Sequence, residues 1–363
     1  MTAADHFLQR VERRAGWSAA ALAAAALVLG PFEVPWIAAA YRLAAFTCLA
    51  PAAGSLVLVL IHRVTGGQWT AGLGRFLGRG VAALPWIWLL ALPALLLPWP
   101  AASGHRHLPL TLGYDGLPMV ALRAAVVAAL FFVLRSWLAD GPGALRDPRS
   151  NRRPWVGPAG LIMVFFIFTF VGDDWLESLE AGWHSTAFPV IWIASQVVSG
   201  LALALLCGLG AGARPDVDGA AGRTLGIDWG NLLLATMMFW TYVTFAQFLI
   251  IWPGNLPEEI SWYVRREQGG WKWIVPAVAL GGFAVPFFLL LSRRLKRSAT
   301  GLSLVAGLLL ATQWLYLFWT IAPAGGSPSL PALLLLLAAA GAAAALFVNR
   351  YARGARLAKG EAP

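Results

Sequence analysis

Apolar runs of roughly 20 residues, the length that crosses a bilayer as helix, recur along this chain, and the short segments between them hold nearly all of its charge. Within the runs the apolar residues are continuous and do not alternate, which predicts helices and not the strands of a barrel. Ten spans are predicted, near residues 18–36, 37–61, 81–99, 117–138, 157–172, 186–209, 228–252, 272–291, 300–322 and 330–348. The first is the least regular. Ala19 to Leu29 is short, and Pro31, Glu33 and Pro35 interrupt it before Trp36. With Arg10, Arg13 and Arg14 ahead of it and Ala38 to Ala40 behind, it also has the outline of a signal peptide. The quick passage into a second span favours a membrane segment.

Composition agrees with the pattern. The chain is 59% apolar and 12% charged, where soluble domains are about a quarter charged. The expected class is an all-α membrane protein, one polytopic domain over residues 1–363. The longest non-apolar stretch, Ala139 to Val156, is rich in Pro, Gly and Arg and too short to fold alone.

Charge placement gives an orientation. Arg10, Arg13 and Arg14 precede span one, Arg63, Arg75 and Arg79 follow span two, and Arg135, Arg146, Arg149, Arg152 and Arg153 follow span four. Arg214 and Arg223 follow span six, Arg293, Arg294, Lys296 and Arg297 follow span eight, and Arg350, Arg353, Arg356 and Lys359 follow span ten. These are 21 of the 27 basic residues, all at one set of alternating ends. The other ends hold only Arg42, Arg106, Arg123, Arg265, Arg266 and Lys272. The positive-inside rule then puts both termini in the cytoplasm, and Asp173 to Glu180 and Glu258 to Glu267 outside. Trp175, Trp183, Trp252, Trp262, Tyr263, Trp271 and Trp273 bracket those outer segments, as interfacial aromatics do. The net charge of +10 is accounted for by cytoplasmic Arg facing anionic lipid, so no nucleic-acid partner is implied.

Several redox chemistries lack their ligands. Cys48 and Cys207 lie alone inside spans and form neither a four-cysteine cluster nor a haem-attachment motif. His6 is in the tail, His62 at a cytoplasmic end, His105 and His107 in an outer loop and His184 at the start of span six, so no bis-imidazole pair is placed for haem. No metal-ligand motif is evident, and the chain is expected to bind no haem, cluster or metal of its own. Any electrons travel elsewhere.

Polar residues inside spans are costly in lipid and turn toward the bundle interior. Thr236, Trp240, Thr244 and Gln247 share one face of span seven, and Trp192, Gln196 and Ser199 share one face of span six. These faces read either as interhelical hydrogen bonding or as a quinone or proton path. Arg123, Asp173, Asp174 and His62 join the candidates for such a path, with Asp173 or Asp174 as a partner for Arg123. Between two spans, Trp252-Pro-Gly-Asn-Leu-Pro-Glu-Glu-Ile-Ser-Trp-Tyr263 reads as a rigid, acidic, aromatic loop. Pro253 and Pro257 restrict its backbone, and Trp252, Asn255, Glu258, Glu259, Trp262 and Tyr263 are its candidate docking residues.

Four segments carry a family resemblance: His62-Arg-Val-Thr-Gly-Gly-Gln-Trp69, Asp174-Trp-Leu-Glu-Ser-Leu-Glu-Ala-Gly-Trp-His-Ser-Thr-Ala-Phe188, Phe245-Ala-Gln-Phe-Leu-Ile-Ile-Trp-Pro-Gly-Asn-Leu-Pro-Glu-Glu259 and Pro286-Phe-Phe-Leu-Leu-Leu-Ser-Arg293. In order, across residues 41–323, the chain resembles the quinol:cytochrome c oxidoreductase quinone-binding subunit 2, the second NrfD-like membrane subunit of bacterial alternative complex III. The resemblance implies two four-helix bundles flanked by a peripheral helix at each end, in the bacterial cytoplasmic membrane. It implies that menaquinol or ubiquinol is oxidised and that electrons pass outward through an iron–sulfur subunit and multihaem and monohaem cytochrome c subunits. The partners would be those subunits, the paired NrfD-like subunit and lipid. This chain would be a scaffold that contributes a quinone or proton path, with quinol oxidation seated in the paired subunit.

Two positions depart from the family pattern. Gly281-Gly282-Phe283 stands where Gly-His-Phe is expected, and Tyr316 stands where an Asp is expected three residues before Trp319. Both changes remove a group that could titrate. A secondary transporter of a small solute, with a polar site at the midplane, and a purely structural membrane subunit remain as alternatives on the sequence.

Overall fold

A computed structural model describes residues 3–30, 36–96, 116–138, 153–180, 182–217 and 224–357. Pro31, Glu33, Pro35, His105, Arg106, His107, Arg146, Arg149, Arg152, Arg223 and Lys359, named above, lie outside the described residues, as does most of the Ala139–Val156 segment.

The described residues are helical almost throughout. The principal helices are α1 (Ala3–Leu29), α2 (Ile37–Thr65), α3 (Gly74–Ala91), α4 (Leu117–Leu138), α5 (Val156–Trp175), α6 (Phe188–Gly210), α7 (Leu225–Gly254), α8 (Pro257–Glu267), the composite α9 (Gly269–Leu291), α10 (Ala299–Ile321) and α11 (Leu330–Leu357). Eight helices are long and apolar enough to cross a membrane, so the chain is a multi-pass membrane protein. The other two expected spans are helical but less apolar. Arg10, Glu12, Arg13 and Arg14 occupy the first half of α1, and α3 carries Arg75 and Arg79 in its first turns.

Packing follows the helix order. The first four-helix bundle is a closed ring of α2, α3, α4 and α5, and the second a ring of α6, α7, α9 and α10. The two join chiefly through α2 and α6, while α1 and α11 pack on each other at the periphery, with α11 also against α2. Asn349 Nδ2 donates to the Glu12 carbonyl across the α1–α11 pair. The α2–α6 crossing is tight because Gly54 faces Gly200: a Cβ on Gly54 would overlap the Gln196 carbonyl, and one on Gly200 would sit 2.7 Å from the Gly54 carbonyl carbon. Small residues that let two backbones meet are a usual means of holding helices together in lipid, where apolar burial offers little.

The α9 helix is irregular where the site forms. Its α-helical turns at Ile274–Ala279 and Val285–Leu291 are separated by a π-helical turn at Leu280–Ala284. Pro286 has no N–H to give and its ring crowds the preceding turn, so the extra residue of a π turn relieves the ladder there.

Candidate functional site

A cavity of about 470 Å³ lies in the second bundle, walled by α7, α8, α9 and α10 and capped by Phe188 and Ile191 of α6. Its walls are aromatic: Trp240, Phe248, Trp262, Tyr263, Phe283, Tyr316 and Trp319 all face it. Trp240 meets Tyr316 edge-on at 5.3 Å, and Tyr316 stacks against Trp319 at 6.0 Å. Phe245 and Val275, 56% and 48% exposed on the outward faces of α7 and α9, reach its mouth, so it communicates with the apolar surface of the bundle.

Four buried polar atoms of residues that line this cavity lack protein partners among the described residues. Trp240 Nε1, Trp319 Nε1, Thr241 Oγ1 and Gln247 Oε1 are buried and have none among the described residues. Unserved buried donors and acceptors are rare and cost on the order of 1–3 kcal/mol each. Two indole donors, a hydroxyl and an amide acceptor on residues that line the cavity are thus left without partners in the chain.

Arg266 is the structural pivot of the site, and it was not evident from the pattern. It is fully buried, its Cζ lies 3.3 Å over the Trp262 ring, and it donates to the carbonyls of Trp262 (2.9 Å), Trp319 (3.2 Å) and Thr320 (2.8 Å). It therefore ties α8 to the end of α10. Burial lowers its guanidinium to about 9, with Glu180 at 4.0 Å opposing that drop, so it keeps its charge at neutral pH. Glu180 itself is held by Arg265 through bonds of 2.6 and 2.8 Å. Burial also raises the Tyr263 phenol, with Arg266 and the Gln247 side chain opposing the rise. The one carboxylate on the cavity lining is Glu267, exposed at its edge.

The path residues expected from sequence divide among separate places. Thr244 and Gln247 line the aromatic cavity. Thr236 does not; its hydroxyl bonds the Leu232 and Leu233 carbonyls of its own helix. Gln196 and Ser199 line a second cavity of about 290 Å³ between α2, α6, α10 and α11. There Ser195 Oγ donates to Gln313 Oε1 across the α6–α10 contact at 2.7 Å, while both amide atoms of the fully buried Gln196 are unpartnered among the described residues. Arg123 and Asp174 are far from both cavities in bonding terms. They form a buried two-point pair, Nε to Oδ2 at 2.9 Å and Nη2 to Oδ1 at 2.5 Å, that joins α4 to α5. Asp173 faces His184 at 3.7 Å. His62 sits at the Arg-rich end, edge-on to Trp69 at 5.3 Å.

The expected docking loop needs correction. Residues 252–263 are not an irregular loop: α7 runs through Pro253 to Gly254, Asn255 caps it in the left-handed region at φ 46°, and α8 begins at Pro257. Pro is well placed in a first turn, where its missing N–H leaves no bond unmade. Trp262 is not a free anchor either. It is 2% exposed and stacks on Trp183 at 4.4 Å, because α8 is amphipathic and turns its apolar face inward. Trp183 Nε1 holds α8 further through the Glu259 carbonyl at 2.8 Å. Tyr263 is half-buried against Phe248, and Trp252, 37% exposed, lines the aromatic cavity. Of the six, Trp252, Asn255 and Glu258 are exposed.

The two positions that depart from the expected motifs both adjoin Trp240 of the cavity wall. Gly282 lies in the π turn, where a Cβ would come within 2.9 Å of the Trp240 ring, so Trp240 fills the space a larger residue would need. Tyr316 packs edge-on against that same ring. No protein-family model matches this chain, and a search of curated proteins likewise finds no match.

Proposed function

We propose that this chain is an integral membrane subunit of a respiratory quinol-oxidising complex of the alternative complex III kind, and that its second bundle binds a quinone ring. The observation that supports this reading most is the aromatic cavity of about 470 Å³ with unserved Trp240 and Trp319 N–H groups and an unserved Gln247 oxygen, reached from the apolar surface. A quinone is flat and apolar, suits aromatic walls, and has two carbonyls to take the indole donors. In its reduced form its hydroxyl can donate to Gln247 Oε1. The ring would arrive through the bilayer, past Phe245 and Val275.

The chain's own residues bind and orient; they offer little for proton transfer. Gly282 and Tyr316 supply no group that titrates near neutrality, and Glu267 is the one carboxylate at the cavity's edge. The reading therefore assigns this chain quinone binding and scaffolding, with oxidation and electron transfer in partner iron–sulfur and haem c subunits. The Arg-rich ends would face the bacterial cytoplasm, and the exposed acidic face of α8, with Glu258, would meet the extracytoplasmic partners. The outward faces of α7 and α9, with Tyr242, Ile250 and Phe288 more than 70% exposed, would be covered by lipid and the paired membrane subunit.

Titration of the full chain in nanodiscs with a short-chain quinone, read by quenching of tryptophan fluorescence, tests the reading. Saturable quenching is expected, weakened about tenfold by Gln247→Leu together with Trp240→Phe, the equivalent of roughly 1.4 kcal/mol. Quenching that does not saturate, or that the double variant leaves unchanged, contradicts it.

A further inference from the structure

We propose that the second cavity, between α2, α6, α10 and α11, is a separate binding site for the carbonyl-bearing ring of a lipid-soluble quinone. It extends the quinone reading to residues that reading does not use, and it stands on observations of its own.

Three side chains on the lining carry unserved polar atoms. Gln196 is fully buried, and both its amide atoms are without partners among the described residues, as are Trp192 Nε1 and Gln313 Nε2. Gln313 gives its oxygen to Ser195 Oγ at 2.7 Å, which leaves its amide N–H groups. Gln196 cannot withdraw with its helix, because the Gly54–Gly200 crossing sets its own carbonyl against the α2 backbone. On α2, Pro51 lines the same cavity and has no N–H, so the helical bond that the Thr47 carbonyl would accept from it cannot form. Buried groups of this kind are rare without partners. Donors outnumber side-chain acceptors, which favours an occupant that brings carbonyl oxygen.

Depth in the membrane narrows the occupant. Gln196 is eight residues into α6 from Phe188, and Gln313 is eight residues before the end of α10 at Ile321. Both therefore lie about 12 Å from one end of their helices, near the middle of a hydrocarbon layer about 30 Å thick. A phospholipid headgroup stays at the surface and does not bring its oxygens there. The rest of the lining is chiefly apolar, and the cavity reaches the surface between α10 and α11 at the exposed Ala311, beside half-buried Phe347 and Val348. A ring on an apolar tail, dissolved in the hydrocarbon, has both the access and the oxygens.

The two cavities are on opposite faces of α10. Tyr316 and Trp319 line the first, while Leu310, Gln313 and Leu317, three and four residues apart, line the second. A ring in one therefore leaves the other free, and the chain holds two.

The full chain in quinone-free nanodiscs is photolabelled with a short-chain azidobenzoquinone, and the labelled peptides are mapped. Saturable label is expected on α6 and α10 around Gln196 and Gln313 and on α11 around Phe347, besides the label in the first cavity. Gly307 lines the second cavity, and a Cβ there would meet nothing within 4 Å. Gly307→Phe should therefore fill the cleft without moving a helix and abolish the second set of labels. Gln196→Met keeps the length of the side chain without its amide and should raise the probe concentration for half-maximal labelling about tenfold. Neither variant should change label in the first cavity, which Gln247→Leu with Trp240→Phe weakens instead. Label in the first cavity alone, as expected if the second holds only ordered water, overturns this site and leaves the proposed function standing. Label around Gln196 that survives Gly307→Phe also overturns it. Label in the second cavity alone, lost in Gly307→Phe, supports this site and contradicts the first.

Discussion

In the first bundle Trp88 Nε1 donates to the Ala124 carbonyl at 3.0 Å, Arg42 reaches the Ala94 carbonyl, and Arg123 closes on Asp174; in the second, Trp240 and Trp319 line a cavity and the same kind of donor is left unserved. Aromatic residues are plentiful in both. In the first they fill space: Phe46 meets Trp175 and Trp192 edge-on at 5.6 and 5.3 Å, and Trp88 lies 5.0 Å from Trp175. In the second they surround it. The helices differ too: the most apolar stretches of α2 and α6, at the seam between the bundles, are 67% and 78% buried within the chain, those of α4 and α5 are 39% and 44% buried, and those of α7 and α9 are each 22% buried. In the first bundle Trp88, Arg42 and Arg123 find their partners within the chain. The second leaves both an interior and an outer face to be completed by something else, a ring inside and lipid or another subunit outside.

The sharpest way to break this comparison is at the Arg123–Asp174 pair. Asp174→Ala leaves a guanidinium buried without its partner, and a loss of about 3–5 kcal/mol in stability is expected, read by thermal unfolding in detergent. Replacing both residues by apolar ones of similar size should recover most of it. If the single variant is as stable as the wild type, the pair does not hold the first bundle.

Arg266→Ala comes next. It removes three carbonyl bonds and the contact with Trp262 and unties α8 from α10, for an expected loss of roughly 2–3 kcal/mol together with weaker quinone quenching. Arg266→Lys keeps the charge but not the fork of donors, and should rescue little. Full rescue by Lys would show that charge alone matters there.

The subtlest test sets two tryptophans side by side. Trp88→Phe deletes a made hydrogen bond and should cost about 1 kcal/mol, whereas Trp240→Phe deletes an unserved donor and should be near neutral for stability while weakening the bound ring. Equal losses in the two unfolding curves would remove the distinction between the bundles.

Much of this fold is legible from one periodic signal. Continuous apolar runs marked the helices, and the interruptions marked their ends, because lipid forces every backbone group into a helical bond. α1 and α3 are less apolar than the other spans for a visible reason, the Arg residues in their N-terminal halves. The site was legible only in part. The shared face of Trp240, Thr244 and Gln247 follows from helical spacing, and it does line the cavity. Gln196 follows from the same rule yet belongs to another cavity, since which helices face each other is set by packing and not by period. Arg266 was counted as a loop charge because α8 was read as a loop around Pro253 and Pro257; the spacing of Trp262 and Arg266, four residues apart on one helix face, was the signal that could have found it.

The central claim is that the second bundle's cavity holds a quinone ring, and photoaffinity labelling of the full chain with a light-activated quinone tests it most directly. The account predicts saturable label on the α7, α8 and α10 segments that carry Trp240, Tyr263 and Trp319, competed away by excess unlabelled quinone. Saturable label confined to the α2–α5 bundle, or label that excess quinone does not displace, would contradict it.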